Sequence, residues 1–323
     1  MSTLLDRSLS HLNGFNYQPT FSLNGAVRWL DRWNGDTVKR ELQRGIELFP
    51  WMKVVRQWLS HDAWMEDRRR FLENLAAEAV ICKELGLQLM PVLFNGWHGL
   101  PDYGGLGPMH AQRAANPENL ERIFLAYVDD VARILSPTGI VAVWDLCNEP
   151  WLHYSAEPSP IRAGFLRILE ASAQRLRDKG DGIPIGVGNS GKEQDDRDVA
   201  PFVDVLLTHR YWAHQYISFE DFLFNLNRTI DLANELQKPL IISECTWGRW
   251  DDAERAGAME REVAAIRDAG AGVIPYVLWE SPVADCHSPA YGFTYEKDSP
   301  GDLCFIRADG QLRPGHGRIN RLF

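Results

Sequence analysis

The sequence predicts an α/β fold, a (β/α)8 TIM barrel forming a single domain over residues 1–323. Three observations carry that expectation. Short apolar runs, several rich in β-branched residues, alternate with longer amphipathic stretches about eight times, which is the rhythm of a parallel sheet wound by helices. No G-x-G-x-x-G follows the first run, where Pro19-Thr20-Phe21-Ser22 stands instead; an open doubly wound sheet would place a phosphate loop there, so the closed barrel is favoured. No Pro/Gly/Ser-rich linker divides the chain, and α/β barrels reach roughly 250 residues or more as one domain.

The expected strands are Gly14 to Gln18, Lys53 to Trp58, Leu87 to Phe94, Val141 to Leu146, Ile183 to Gly188, Val205 to His209, Leu240 to Ser243 and Val273 to Trp279. Between them, Asp36 caps a helix running to Leu48, Glu66 to Leu85 stops on Gly86, and Pro117 to Leu135 opens with proline in its first turn. Ile161 to Lys179 stops on Gly180, Asp195 to Phe202 reads as a short helix, Phe219 to Leu236 ends before Lys238-Pro239, and Asp252 to Asp268 ends near Gly270. Arg307 to Gln311 reads as a turn, followed by a short helical tail from Pro314.

Composition narrows the function. With 34 Lys+Arg against 44 Asp+Glu the formal net charge is -10, so neither nucleic acid nor anionic lipid is an expected partner. The compact basic run Arg68-Arg69-Arg70 reads as a solvated helix face. Five cysteines, Cys82, Cys147, Cys245, Cys286 and Cys304, show neither Cys-x-x-Cys nor metal-ligand spacing. Reduced thiols, no metal and no cofactor are expected. The N-terminus shows no charged start leading into an apolar run, which suggests a cytoplasmic protein, and no stretch has the roughly 18 consecutive apolar residues of a membrane span.

In a barrel of this kind the site lies where strands open into their following loops. Strand four ends Cys147-Asn148-Glu149-Pro150-Trp151 and strand seven ends Ser243-Glu244-Cys245. Strands four and seven nearly face each other across the ring, so Glu149 and Glu244 can meet over one sugar ring despite lying 95 residues apart (244 − 149). Paired carboxylates across a cleft are what glycosidic cleavage needs, one protonating the leaving oxygen while the other attacks or activates water. Arg56 falls near the end of strand two, Asn95 and His98 follow strand three, His209 and Tyr211 end strand six, and Trp279-Glu280 end strand eight, giving a polar mouth above an apolar barrel. Of 12 tryptophans, Trp58, Trp97, Trp151, Trp212, Trp247, Trp250 and Trp279 fall at that rim, where indole faces could stack on sugar rings. Trp58 and Trp250 serve loop packing as readily. Glu280 and Asp285 are candidate partners for sugar hydroxyls or for salt bridges.

At these residues the chain resembles the clan A glycoside hydrolases, most nearly the cellulase-like family 5 and its relatives. The resemblance is sharp at Asn148-Glu149-Pro150, His209-Arg210-Tyr211, Ser243-Glu244 and Trp279. It implies Glu149 as acid/base, Glu244 as nucleophile, Asn148 on the sugar 2-hydroxyl, Arg56 and Tyr211 holding Glu244 ionised and oriented, His209 beside the acid/base, and Trp279 flooring the subsite of the cleaved sugar. Ser243 and Cys245 stand where family 5 members usually carry glycine. The resulting expectation is a retaining double displacement on a β-linked oligosaccharide or glycoside, with carboxyl groups roughly 5 to 5.5 Å apart. Long connections from Asn95 to Asn116 and from Ser281 to Asp302 would shape the cleft. The rival readings are a catalytically silent carbohydrate-binding barrel, a Schiff-base aldolase and a metal-dependent hydrolase. The first would lose a carboxylate, the second needs a lysine ending an inner strand, and the third needs clustered metal ligands.

Overall fold

The computed structural model describes residues 9–99, 102–154, 159–213, 216–284 and 301–323. Eight parallel strands pair in sequence order: β1 Gly14–Asn16, β2 Val54–Trp58, β3 Gln88–Asn95, β4 Trp144–Asn148, β5 Ile185–Asn189, β6 Leu206–His209, β7 Leu240–Glu244 and β8 Gly272–Val273. A parallel bridge between Asn13 and Val273 joins β8 back to the start of β1. The predicted TIM barrel is therefore the observed fold.

Side-chain alternation sorts each strand into an inner and an outer face. Val54, Met90, Val143, Leu207 and Ile241 form an apolar layer inside the barrel. Two residues further along their strands the inner face turns polar, with Arg56, Asp145, His209 and Ser243 all buried. The outer faces pack against the helices in one large core that includes Phe15, Leu89, Trp144 and Ile242.

The main helices are α1 Gly35–Leu48, α2 His61–Glu66, α3 Arg68–Glu84, α4 Pro108–Arg113, α5 Ala126–Leu135, α6 Pro160–Arg177, α7 Glu193–Val199, α8 Phe219–Glu235 and α9 Asp252–Asp268. Side-chain caps account for several starts. Asn34 rather than Asp36 accepts from the Thr37 N–H and begins α1 two residues early. Asp67 accepts from Arg70 N–H, which separates α2 from α3 where the sequence suggested one helix from Glu66. Helix α4 is an addition, begun by Pro108 inside the connection expected to be loop. The tail forms a short 3-10 helix over His316–Leu322.

Strand eight departs most from expectation. Its ladder stops at Val273, and the Asn16 amide donates to the carbonyls of Ser243 at 2.8 Å and Ile274 at 2.9 Å. Beyond Pro275 the pairing becomes irregular: Tyr276 N–H bonds Cys245 O at 3.0 Å and Leu278 N–H bonds Asn16 O at 2.9 Å, while Val277 N–H turns outward to Leu303 O at 3.2 Å. Tyr276, rather than Trp279, is thus the aromatic at the barrel mouth. Cys82, Cys147, Cys245 and Cys304 are buried free thiols, while Cys286 lies outside the described residues. Among the described residues no helix is long and apolar enough to cross a membrane.

Candidate active site

The site is assembled around Arg56, whose guanidinium is fully buried in the polar inner layer. Its Nε donates to Asp145 Oδ2 at 2.8 Å, Nη1 to Asn16 Oδ1 at 2.8 Å and to Glu244 Oε1 at 2.6 Å, and Nη2 to Asn148 Oδ1 at 2.9 Å. One cation thereby joins β1, β4 and β7. Charge-assisted bonds of this kind are the strong ones, and a buried arginine needs them to offset its desolvation. Asp145 is held in turn by the Gly188 N–H at 2.9 Å. Glycine is required at 188, because a Cβ there would lie 2.7 Å from Arg56 Nη2 and 2.9 Å from Asp145 Oδ2.

Glu244 receives two hydrogen bonds, from Arg56 and from the Tyr211 hydroxyl to Oε2 at 2.7 Å. Burial and the neighbouring Glu244 push Tyr211 well above the ordinary phenol range, so its proton stays in place as a donor. Glu149 opens the loop after β4 with φ 45°, a left-handed conformation costing of order 1 kcal/mol or more for a residue with a Cβ. Backbone bonds from Glu149 N–H to Gly188 O and from Gly96 N–H to Asn148 O, both 2.7 Å, hold the turn in place. Gly96 permits the contact, since a Cβ there would sit 2.4 Å from Pro150 Cα.

Burial pushes the Glu149 carboxyl up to about 7, against the opposing pull of Arg56. His209 Nδ1 lies 2.8 Å from Glu149 Oε1 and 3.4 Å from Glu244 Oε2. Burial drives this imidazole down to about 4 despite the charge of Glu244, so it is neutral near pH 7, and the two carboxylates on its Nδ1 side assign the proton to that nitrogen. One oxygen of Glu149, one nitrogen of His209 and one oxygen of Glu244 lie within 4.8 Å of one another. Both carboxylates face a cavity of about 400 Å³, lined also by Asn95, Asn148 and Tyr211.

Other predicted site residues divide sharply. Trp58, Trp97 and Trp247 line this cavity. Trp151, expected there as a sugar platform, is 1% exposed and packs in the core with the Arg162 guanidinium 4.2 Å above its ring. Trp212 packs on Phe219 with ring centroids 4.7 Å apart. Trp279 cannot floor the site, because its side chain is buried in the core between barrel and helices, where its indole N–H donates to Glu41 O of α1 at 3.1 Å. Glu280 follows it and accepts from the Ala308 N–H at 3.1 Å. His98 turns into its own loop, with Nδ1 2.9 Å from Asp102 and Nε2 2.8 Å from Leu106 O. Trp250 is not among the residues lining the cavity, and Asp285 lies outside the described residues.

Several lining residues were not anticipated: Gln18, Tyr103, Leu152, Ser190 and Tyr276. Asn16 and Gln18 carried a readable signal, being polar at alternate positions of an otherwise apolar first strand. Asp145 did likewise in strand four.

Among the described residues two groups of side chains are close enough to share a cation, Glu149/His209/Glu244 and His61/Asp62/His110. Neither donor set suits one. Arg56 already supplies the positive charge at Glu244. In the second group His110 Nδ1 accepts from the Gly107 N–H at 3.0 Å, which leaves the neutral ring's proton on the nitrogen a metal would need.

No family model and no curated protein matches the sequence. Among solved structures, the chain is similar to an exo-β-1,4-mannosidase from Opitutaceae bacterium strain TAV5, at 19% identity and TM-score 0.75 over 96% of this chain and 58% of that one. It is also similar to GH5_18 from Streptomyces cattleya, crystallised with GlcNAc, at 16% identity and TM-score 0.70 over 97% of this chain and 79% of that one. An endo-β-1,4-mannanase from Thermotoga petrophila aligns at 16% identity and TM-score 0.67 over 99% of this chain and 77% of that one. The chain thus spans a little over half the length of the first of these. At such identities the likeness establishes the fold, a (β/α)8 barrel.

Proposed function

We propose that the protein is a retaining β-glycoside hydrolase in which Glu149 is the acid/base and Glu244 the nucleophile. The observation that carries this reading is the pair of carboxylates facing one cavity with oxygens within 4.8 Å of each other and unlike surroundings. Inverting enzymes keep their carboxyl groups roughly 6.5 to 9.5 Å apart to admit a water between them, so the shorter spacing favours direct attack. Glu149, pushed up to about 7, holds a proton near neutrality and gives it to the leaving oxygen. Glu244, aimed by Arg56 and Tyr211, attacks the anomeric carbon to form a glycosyl ester. Loss of the Glu244 charge on esterification lowers the proton affinity of Glu149, which then removes a proton from the incoming water. Neutral His209 donates from Nδ1 to Glu149 Oε1 at 2.8 Å and, with Glu244 Oε2 3.4 Å away, sits between the two carboxyls without adding a charge. Asn148 anchors on Arg56 through Oδ1 and on Asn95 Oδ1 through Nδ2 at 3.1 Å, and it lines the cavity where a sugar 2-hydroxyl would lie.

The substrate class is a β-linked oligosaccharide or small glycoside, and β-mannosides are the first sugars to test because two of the similar structures are an exo-β-1,4-mannosidase and an endo-β-1,4-mannanase. The decisive experiment is a screen of aryl β-glycosides followed by the 2-deoxy-2-fluoro analogue of the accepted sugar and peptide mapping. Label on Glu244 is the expected outcome. Label on another residue refutes the assignment, and no turnover of any glycoside favours a silent sugar-binding barrel.

A further inference from the structure

In the proposed reaction the leaving group departs on the side of Glu149, toward β4 and β5, where Leu152 and Ser190 line the cavity. The retained sugar, the glycone, therefore rests against the opposite half, built from β8, β1, β2 and the loop after β3. That half is walled by ring and aliphatic surface from Trp58, Tyr103, Tyr276, Val283 and Leu303. Both tyrosine hydroxyls are turned to the protein. Tyr103 donates to Trp58 O at 3.0 Å and accepts from the Trp29 indole N–H at 3.1 Å, and Tyr276 donates to Ala284 O at 3.2 Å.

Gln18 interrupts this wall. It follows β1 on the inner side of the alternation that includes Asn16, is 4% exposed and lines the cavity. No hydrogen bond joins its side chain to any described residue. A carboxamide offers one acceptor oxygen and two N–H donors in a single plane, and leaving these unmade in a buried position is costly. None of the described residues bonds it, and a ligand in the cavity can.

We propose that Gln18 recognises two adjacent hydroxyls of an uncharged glycone, Oε1 accepting from one and Nε2 donating to the next. This rests on the glycosidase reading and extends it to the class of sugar accepted. The apolar wall argues for the missing charge, because a glycone carboxylate against Tyr276, Val283 and Leu303 would lose its water and gain no cationic partner among the described residues that line the cavity.

The test measures kcat/KM of the wild type and Gln18→Leu on 4-nitrophenyl β-mannoside, β-glucoside, β-galactoside and β-glucuronide, then on the 3-deoxy and 4-deoxy forms of the preferred sugar. Loss of neutral hydrogen bonds predicts a roughly tenfold fall for Gln18→Leu on the preferred sugar. On one of the deoxy forms the wild type should lose a similar factor while the variant loses little more. Urea unfolding of the variant should match or exceed the wild type, since no intramolecular bond is removed, and this separates recognition from a structural role. Equal rates for the two proteins on every neutral glycoside, or a glucuronide preferred over all of them, overturns the proposal while leaving the glycosidase reading intact. Failure of the wild type to turn over any glycoside, with no fluoro-sugar label on Glu244, refutes that reading and this inference with it.

Discussion

Glu149→Gln should make the folded protein more resistant to unfolding at alkaline pH, although it removes a proposed catalytic group. Burial raises the Glu149 carboxyl from 4.5 to about 7, so the native state holds its proton more tightly than the unfolded chain does. Stability from this group is fully present below about pH 4.5 and is lost as pH rises through about 7. Each tenfold in proton affinity corresponds to about 1.4 kcal/mol, so the loss over that interval is about 3 kcal/mol. The side chain is only 14% exposed, so solvent screens little of this. Glutamine carries no charge at any pH and its Oε1 can still accept from His209 Nδ1. The assay is urea unfolding followed by tryptophan fluorescence at pH 5, 6, 7 and 8 for both proteins. The variant should gain about 3 kcal/mol on the wild type between the ends of that range, with the titration of His209 common to both and cancelling. A difference that is flat with pH, or one in which the wild type gains, would refute the claim that burial of a charge dominates at Glu149.

The same raised carboxyl predicts that kcat/KM on a glycoside with a poor leaving group falls above about pH 7. Glu149→Gln should remove that limb and spare activated aryl glycosides in part; a limb unchanged in the variant assigns the proton elsewhere. Gly188→Ala, whose Cβ would lie 2.7 Å from Arg56 Nη2, should displace the guanidinium and cost on the order of 100-fold in kcat with a small change in KM. Wild-type turnover in that variant would contradict the tight packing around Arg56. Trp279→Ala should lose about 3 to 5 kcal/mol of stability with KM nearly unchanged, whereas Trp247→Ala, at the cavity, should raise KM with a smaller loss of stability. The reverse pattern would return Trp279 to the site.

How much could be read in advance depended on which physical signal each residue carried. Glu149, His209 and Glu244 were legible because each ends an apolar run, and a barrel sends such residues to one mouth. Strand eight was misjudged for the same reason. Val273 to Trp279 reads as one apolar run, but Pro275 within it cannot donate to a ladder and marks where regular pairing stops; the Asn16 amide, 258 positions away from its Ile274 contact, takes the carbonyl there. Trp279 and Glu280 were displaced with it. Trp151 and Trp212 show a second kind of miss, since proximity to a strand end does not say whether an indole turns to the cavity or to the helices. Asp145 and Gln18 were within reach, because a polar residue on the inner face of an apolar strand must find a partner, in the protein or in a ligand.

The sharing of Arg56 among Asn16, Asp145, Asn148 and Glu244 has a bearing on how such a protein could be remodelled. A clamp that spans the ring from β1 through β4 to β7 makes the chemistry and the closure of the barrel a single unit of inheritance: a change to any member loosens both. Gln18, Trp97, Tyr276 and Leu303 stand outside that clamp. New preferences for sugars should therefore be sought by library mutagenesis at the rim, with the clamp held constant, and loss of folding yield should track changes to the clamp far more closely than changes in selectivity.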